Sequence, residues 1–182
     1  MAAMGALLAL ALAFDTTSRR IPNWLVLAGV VVGAGCNAAL APGPGLFLAY
    51  GGGLGLQQSL LGALAGLGIF LPLYFLRAVG AGDAKLMAAV GAFLGPVQVA
   101  GAALLSFACG GVLSLGAALA TRSLPRVAAN IRMIGLVLVA GRRSGMGLRD
   151  VPTTGRLPYA YAIVFGTGLQ IWLAARGGWA FA

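Results

Sequence analysis

Residues 86–120 read LMAAVGAFLGPVQVAGAALLSFACGGVLSLGAALA, a stretch without a single charged side chain. Apolar runs of about 18 residues or more are typical of transmembrane helices, whereas the strands of membrane barrels alternate apolar and polar residues. Gly95-Pro96 interrupts the run, because proline removes a backbone hydrogen bond and breaks a helix. The stretch therefore predicts two membrane helices separated by this break.

The rest of the chain has the same character. Of its 182 residues, 60% are hydrophobic and 8% are charged, against roughly 25% charged in soluble domains. We expect an all-α integral membrane protein with one membrane-embedded domain over residues 1–182. The predicted spans cover residues 1–17, 24–40, 57–76, 84–95, 97–120 and 157–173, and an Arg-rich cytoplasmic stretch with an amphipathic segment on the membrane surface covers residues 121–156.

The net charge of +9 does not indicate nucleic-acid binding, because the basic residues lie at the ends of apolar segments instead of forming a patch. With six spans and the N-terminus outside, 11 of the 12 basic residues lie in inward-facing loops. The positive-inside rule selects this topology. A signal peptide is the alternative for the first run, but Arg19 and Arg20 follow it directly and disfavour export. Both Asp15, ending the first helix, and Asp83, beginning the fourth, are then cytoplasmic.

Metal chemistry has few candidate ligands in this sequence. The chain has no histidine, three acidic residues and two isolated cysteines, Cys36 and Cys109, inside apolar segments. Zinc sites use clusters of Cys, His and carboxylate ligands. We expect neither a metal nor another cofactor.

The acids carry the functional signal. Acidic residues in or beside membrane spans are costly and indicate function by default, whereas Asp150 lies in the polar Arg-rich loop and reads as a solvated charge. The structural alternative is that Asp15 pairs with Arg19 and that Asp83 caps a helix. Two glycines just ahead of Asp83 favour function, because they leave room for a peptide to approach its carboxylate.

Two carboxylates brought together by different helices have a specific chemistry. Like charges at close range cannot both ionise, so the pair shares one proton. One carboxylate then activates water as a general base, and the other protonates the departing group. This is sufficient to hydrolyse a peptide bond.

Three segments resemble one family. Gly80-Ala81-Gly82-Asp83-Ala84-Lys85 is similar to the GxGDxK signature of the type IV prepilin peptidases, which are GxGD aspartyl proteases. Asp15-Thr16-Thr17-Ser18-Arg19-Arg20-Ile21-Pro22-Asn23 resembles their D-x(4,5)-R-x-I-P-N segment, and Leu157-Pro158-Tyr159 their terminal L-P-[FY] element. The segments follow the family order from residue 15 to about residue 170.

The resemblance implies an intramembrane aspartyl endopeptidase that removes the leader peptide of prepilins or pseudopilins at the cytoplasmic face of the bacterial inner membrane. Asp15 and Asp83 match the two catalytic aspartates. The implied partners are the precursor and membrane lipid, without nucleic acid. The residues matched to loop shaping or substrate contact are Gly80, Gly82, Lys85, Arg20, Pro22 and Asn23.

The sequence departs from the pattern of the larger family members, and this difference narrows the expected activity to peptide cleavage. Larger family members carry an N-terminal region with paired cysteines that methylates the new pilin end, but here 14 residues precede Asp15 and no cysteine pair is present. The chain resembles the short, peptidase-only branch of Flp/Tad pilus assembly. Three alternatives stay open: another GxGD protease, although the P-A-L motif is absent; a proton-coupled transporter, which would place its acids near the bilayer midplane; and a non-enzymatic assembly scaffold.

Overall fold

The structure, a computed structural model, describes residues 2–18, 20–47, 51–76, 78–121 and 159–177, together with positions 125, 129, 132 and 181. Within these residues the regular elements are helices, with one isolated bridge between Pro42 and Gly53. The predicted all-α class is confirmed for this part of the chain. The helices whose bounds lie within the described residues are α1 (Ala2–Ser18), α2 (Asn23–Ala39), α3 (Leu56–Phe75), α4 (Ala81–Ala120) and α5 (Ala160–Arg176).

The predicted break in the long apolar run is present. Gly95 has φ +78° and ψ 175° inside α4, a conformation that glycine adopts readily. In a straight helix Met87 and Val99 would be about 18 Å apart. A Cβ placed on Gly66 of α3 would nevertheless lie 2.9 Å from the Met87 carbonyl carbon and 3.2 Å from Cγ2 of Val99. The chain therefore turns back at Gly95, and α4 consists of two helical segments.

Buried polar side chains complete the hydrogen bonding at this reversal. Pro96 has no N–H to donate to the Ala92 carbonyl, its helical partner four residues back. The Asn37 amide donates to that carbonyl at 2.9 Å, and the Ser59 hydroxyl donates to the same carbonyl at 2.5 Å. Asn37 also accepts the Leu54 N–H at 3.0 Å through Oδ1. Since unpaired backbone groups are costly in an apolar interior, these side chains stabilise the reversal.

Contacts along the helices fix their directions. In α1 and α2, Leu7 packs on Gly29 and Phe14 on Trp24, so these helices are antiparallel. The first segment of α4 runs parallel to α2, because Gly29 lies against Ala89 and Gly33 against Phe93.

The same reasoning places α3 and α5. A Cβ on Gly62 would meet the Gly91 carbonyl oxygen, and one on Gly66 would meet Met87, so α3 is antiparallel to the first segment of α4. Helix α5 is antiparallel to the second segment, since Tyr159 lies on Gly110 and Gly166 on Ser106. The end of α1 and the starts of α2, α4 and α5 therefore meet at one end of the bundle.

The outer surface of these helices is apolar. Leu64, Phe75 and Phe165 are 65%, 67% and 61% exposed, and α3 and α4 are long and apolar enough to cross a membrane. Water does not favour a continuous surface of this kind, whereas lipid does. The described helices have the character of a membrane bundle.

Helix α4 begins before the predicted fourth span. The fourth span was expected to begin at residue 84, after a polar turn, but α4 begins at Ala81. The physical reason is local: Ala84 N–H donates to the Gly80 carbonyl at 3.3 Å, and the Asp83 side chain closes the first turn. Asp83 is consequently the third residue of the helix. The predicted surface segment between Arg122 and Arg156 lies almost wholly outside the described residues.

Candidate active site

The turn before α4 holds Asp83 in one orientation. The Gly80 N–H donates to Oδ2 of Asp83 at 3.0 Å. This is one of the two bonds of a capping box, in which the side chain of the third helical residue accepts the N–H of the residue before the helix. A Cβ on Gly80 would lie 3.1 Å from that oxygen, so a larger residue would crowd the carboxylate. Asp83 is 8% exposed. Its helix-capping role, expected as the structural alternative, is therefore real, but it uses only one of the two carboxylate oxygens.

Asp15 lies in the last turn of α1, which continues past it to Ser18. Hydroxyl groups support this extension, because Thr16 donates to the Leu12 carbonyl at 2.7 Å and Ser18 to the Phe14 carbonyl at 2.8 Å. Asp15 is half-buried. The expected alternative partner, Arg19, lies outside the described residues.

The segment after Asp15 and the turn before Asp83 touch each other. Ile21 is buried, and its side chain faces Gly82, where an added Cβ would lie 3.4 Å away. The Lys85 ammonium donates to Oδ1 of Asn23 at 2.9 Å. Two segments about 60 residues apart in sequence are thus joined by one apolar contact and one hydrogen bond.

These contacts place the two acids in the same region. Asp15 and Asp83 lie near enough for the charge of one to act on the other, although burial has the larger influence on Asp83. A shared proton relieves the repulsion between two such groups and leaves one group able to accept a proton and the other able to donate one. Two carboxylates brought near each other are the kind of arrangement that general acid–base catalysis uses.

The start of α5 borders the same end of the bundle. The Tyr161 hydroxyl lies 3.3 Å from the Thr16 hydroxyl, one residue from Asp15. Tyr159 donates to the Ser106 carbonyl at 3.4 Å and packs edge-on against Phe70 at 6.2 Å. Sequence reasoning missed Tyr161, and no motif singles it out. Leu157 and Pro158 of the predicted terminal element lie outside the described residues.

The two remaining predicted residues, Pro22 and Arg20, have different surroundings. Pro22 is the N-cap residue of α2, with φ −64° and ψ 140°, and an extended conformation is usual at that position. The Arg20 side chain is exposed, and its carbonyl accepts the Ser18 hydroxyl at 3.2 Å. Pro22 thus shapes the loop, while Arg20 presents a positive charge at the surface of the same end.

An open depression of about 380 Å³ lies at the other end of the bundle. It is lined by the end of α2 and the loop before α3, including Asn37, Pro42 and Gly55. The alternating helix directions place it away from both acids. It does not belong to the site formed by Asp15 and Asp83.

Comparison with known families identifies the family to which the chain belongs. The type IV leader peptidase family matches residues 2–115, a range that contains Asp15, Asp83 and both joined segments but ends before α5. No curated protein and no solved structure gave a significant match. The chain belongs to the type IV leader peptidase family, which is a family of membrane-embedded peptidases acting on prepilin-type substrates.

Proposed function

We propose that this protein is an intramembrane aspartyl endopeptidase that removes leader peptides from prepilins or pseudopilins at the cytoplasmic face of the bacterial inner membrane. The observation that carries the proposal is the joining of two motif segments, Asp15–Asn23 and Gly80–Lys85, at one end of the bundle. Each segment contributes one acid. Helix capping accounts for the position of Asp83 but gives no reason for Asp15 to lie near it.

In the proposed mechanism the two carboxylates share one proton. The ionised group removes a proton from water as the water oxygen attacks the scissile carbonyl, and the protonated group keeps its proton and donates a hydrogen bond to the carbonyl oxygen. The tetrahedral intermediate then collapses, the C–N bond breaks, and the departing nitrogen takes a proton from the pair. Water is consumed across the amide, and the acids regain their initial protonation.

The other predicted residues have supporting roles in this proposal. Gly80 keeps space beside the Asp83 carboxylate, and Gly82 admits Ile21 from the first loop. Pro22 fixes the start of α2, and Arg20 adds positive charge where the substrate approaches. The substrate would reach the acids from the bundle end, so that cleavage takes place at the membrane surface.

The proposed membrane topology has six spans within a single domain over residues 1–182. Trp24, Tyr74 and Phe75 are exposed near the end that carries the acids, and Trp172 is exposed near the other end. Aromatic side chains gather at both membrane–water interfaces. Their positions support placing Asp15 and Asp83 at the level of one membrane interface, and the positive-inside rule makes that interface the cytoplasmic one.

Cysteine labelling tests this topology. In a background with Cys36 and Cys109 replaced by alanine, Ala81→Cys should react with a membrane-impermeant thiol reagent only from the cytoplasmic side. Gly51→Cys should react only from the opposite side, because Gly51 is exposed in the loop at the other bundle end. Labelling of both variants from one side would contradict the proposed topology.

We also propose peptidase activity without methyl transfer. The methylating region of the larger family members carries paired cysteines, whereas Cys36 and Cys109 lie on different helices, α2 and α4. No S-adenosylmethionine requirement is expected. The product's new N-terminus should therefore remain unmethylated when the protein is incubated with substrate and that donor.

Cleavage in vesicles tests the function itself. The purified protein, reconstituted with a prepilin-type precursor, should release the leader by a single cut, which mass spectrometry of both products would locate. EDTA should leave the rate unchanged, because the mechanism needs only the two carboxylates. Loss of cleavage in EDTA with recovery on adding zinc would show a metal-dependent mechanism instead.

A further inference from the structure

We propose that Lys85 and Asn23 are positioning residues that hold Asp15 and Asp83 at their working separation. This inference rests on the proposed function. The Lys85–Asn23 hydrogen bond, 2.9 Å long, connects the helix that carries Asp83 to the loop that follows Asp15.

The positions of Lys85 and Asn23 make their hydrogen bond a direct connection between α4, which carries Asp83, and the segment that follows Asp15. Lys85 is two residues from Asp83, on the same helical turns of α4, and Asn23 is the first residue of α2. Only four positions in the sequence separate the end of α1 from Asn23. Movement of Asn23 is therefore passed to the end of α1, where Asp15 lies.

A second contact beside the bond restricts rotation as well as distance. Ile21 is buried against Gly82, which lies three residues before Lys85 and on the same face of α4. One apolar and one polar contact, about one helical turn apart on the same face, oppose sliding of the first turn of α4 along the loop. Asp83 itself is held by Gly80, so the bond to Asn23 sets the position of the whole turn.

The expected consequence concerns rate more than folding. Lys85 and Asn23 are both exposed, and exposed polar pairs contribute little to stability. A displacement of about 1 Å between catalytic groups, in contrast, can lower a rate by about 100-fold. Loss of the bond should leave the protein folded and slow.

Substrate contact by the Lys85 ammonium is the competing role. In that case Lys85 replacement would raise KM, and Asn23 replacement would have little effect. In the positioning role both replacements act through the same bond, so each lowers kcat by a similar factor. Their effects should not add, because residues acting as one unit are non-additive.

The test measures kcat and KM for precursor cleavage in vesicles with Lys85→Met, Asn23→Ala and the double variant. We expect kcat to fall about 100-fold in all three, with KM within about three-fold of the wild type. The reciprocal exchange Asn23→Lys with Lys85→Asn restores a donor and an acceptor and should recover most of the rate. Arg176→Met, which removes one positive charge at the other bundle end, is the control and should cleave normally.

Near wild-type cleavage by Asn23→Ala, or a change confined to KM in Lys85→Met, would overturn the inference. If the single variants fail to accumulate, the reciprocal exchange decides: recovered cleavage supports the bond, and absent cleavage contradicts it. Asp15→Asn and Asp83→Asn are assayed in parallel. Inactivity of those two with full activity of the Lys85 and Asn23 variants rejects only the positioning role, whereas activity of the aspartate variants rejects the proposed function.

Discussion

Replacing either Asp15 or Asp83 by asparagine is expected to abolish cleavage while the protein still accumulates in the membrane. Asparagine has nearly the same size and can still accept the Gly80 N–H bond made by Asp83, but it cannot exchange a proton. General acid–base catalysis contributes about 10²- to 10⁴-fold to a rate, and loss of one member disables the shared-proton mechanism. Initial cleavage rates in vesicles, normalised to folded protein, measure the effect.

Two comparisons make this result specific. The double variant should be hardly slower than either single one, since the acids act as a unit. Asp150→Asn is the matched control, because it removes an acid that the mechanism does not use, and it should cleave at close to the normal rate. If the acids served only as helix caps or ion-pair partners, both single variants would retain cleavage, because asparagine also caps helices well.

Replacing Gly62 by valine is expected to prevent normal folding. A Cβ on Gly62 would meet the Gly91 carbonyl oxygen and lie 2.6 Å from Cα of Gly95. These obstacles are backbone atoms at the α4 reversal, so no side-chain rotation can relieve the clash. Overpacking typically costs about 1–3 kcal/mol, and a clash with backbone exceeds that range. Accumulation and resistance to thermal aggregation after detergent extraction measure the loss.

Gly68→Val is the matched control for that experiment. Gly68 lies on the same helix, α3, and an added Cβ there has no neighbouring atom within 4 Å. The substitution is identical, and only the surroundings differ. Equal accumulation of the Gly62→Val and Gly68→Val proteins would show that α3 and α4 do not pack through Gly62.

Much of the fold follows from local sequence. Apolar runs define the helices, and the break at Gly95-Pro96 follows from proline's missing N–H. The predicted first span, residues 1–17, extends past Asp15, and α1 likewise ends at Ser18. Both acids were identified because acidic residues are rare in this composition and each lies in a family motif.

Other features depend on contacts between distant residues. The start of α4 at Ala81 needs the Asp83 carboxylate bound to Gly80, and a Gly-rich polar turn does not reveal that bond in advance. The pairing of Asn37 with the Ala92 carbonyl and of Lys85 with Asn23 joins helices far apart in sequence. Pattern and periodicity carry no information about such partners, so only the folded chain identifies them.

Binding of a non-cleavable transition-state analogue tests the central claim most directly. In a peptide that spans the precursor's cleavage junction, a hydroxyl-bearing isostere replaces the scissile amide and places its hydroxyl where two carboxylates would hold the attacking water. Transition-state analogues bind at least 10²-fold more tightly than substrates. The account predicts tight binding to the wild-type protein and to Asp150→Asn, with at least 10²-fold weaker binding to folded Asp15→Asn and to folded Asp83→Asn. Unchanged affinity in either of those two variants would contradict an active site built from Asp15 and Asp83.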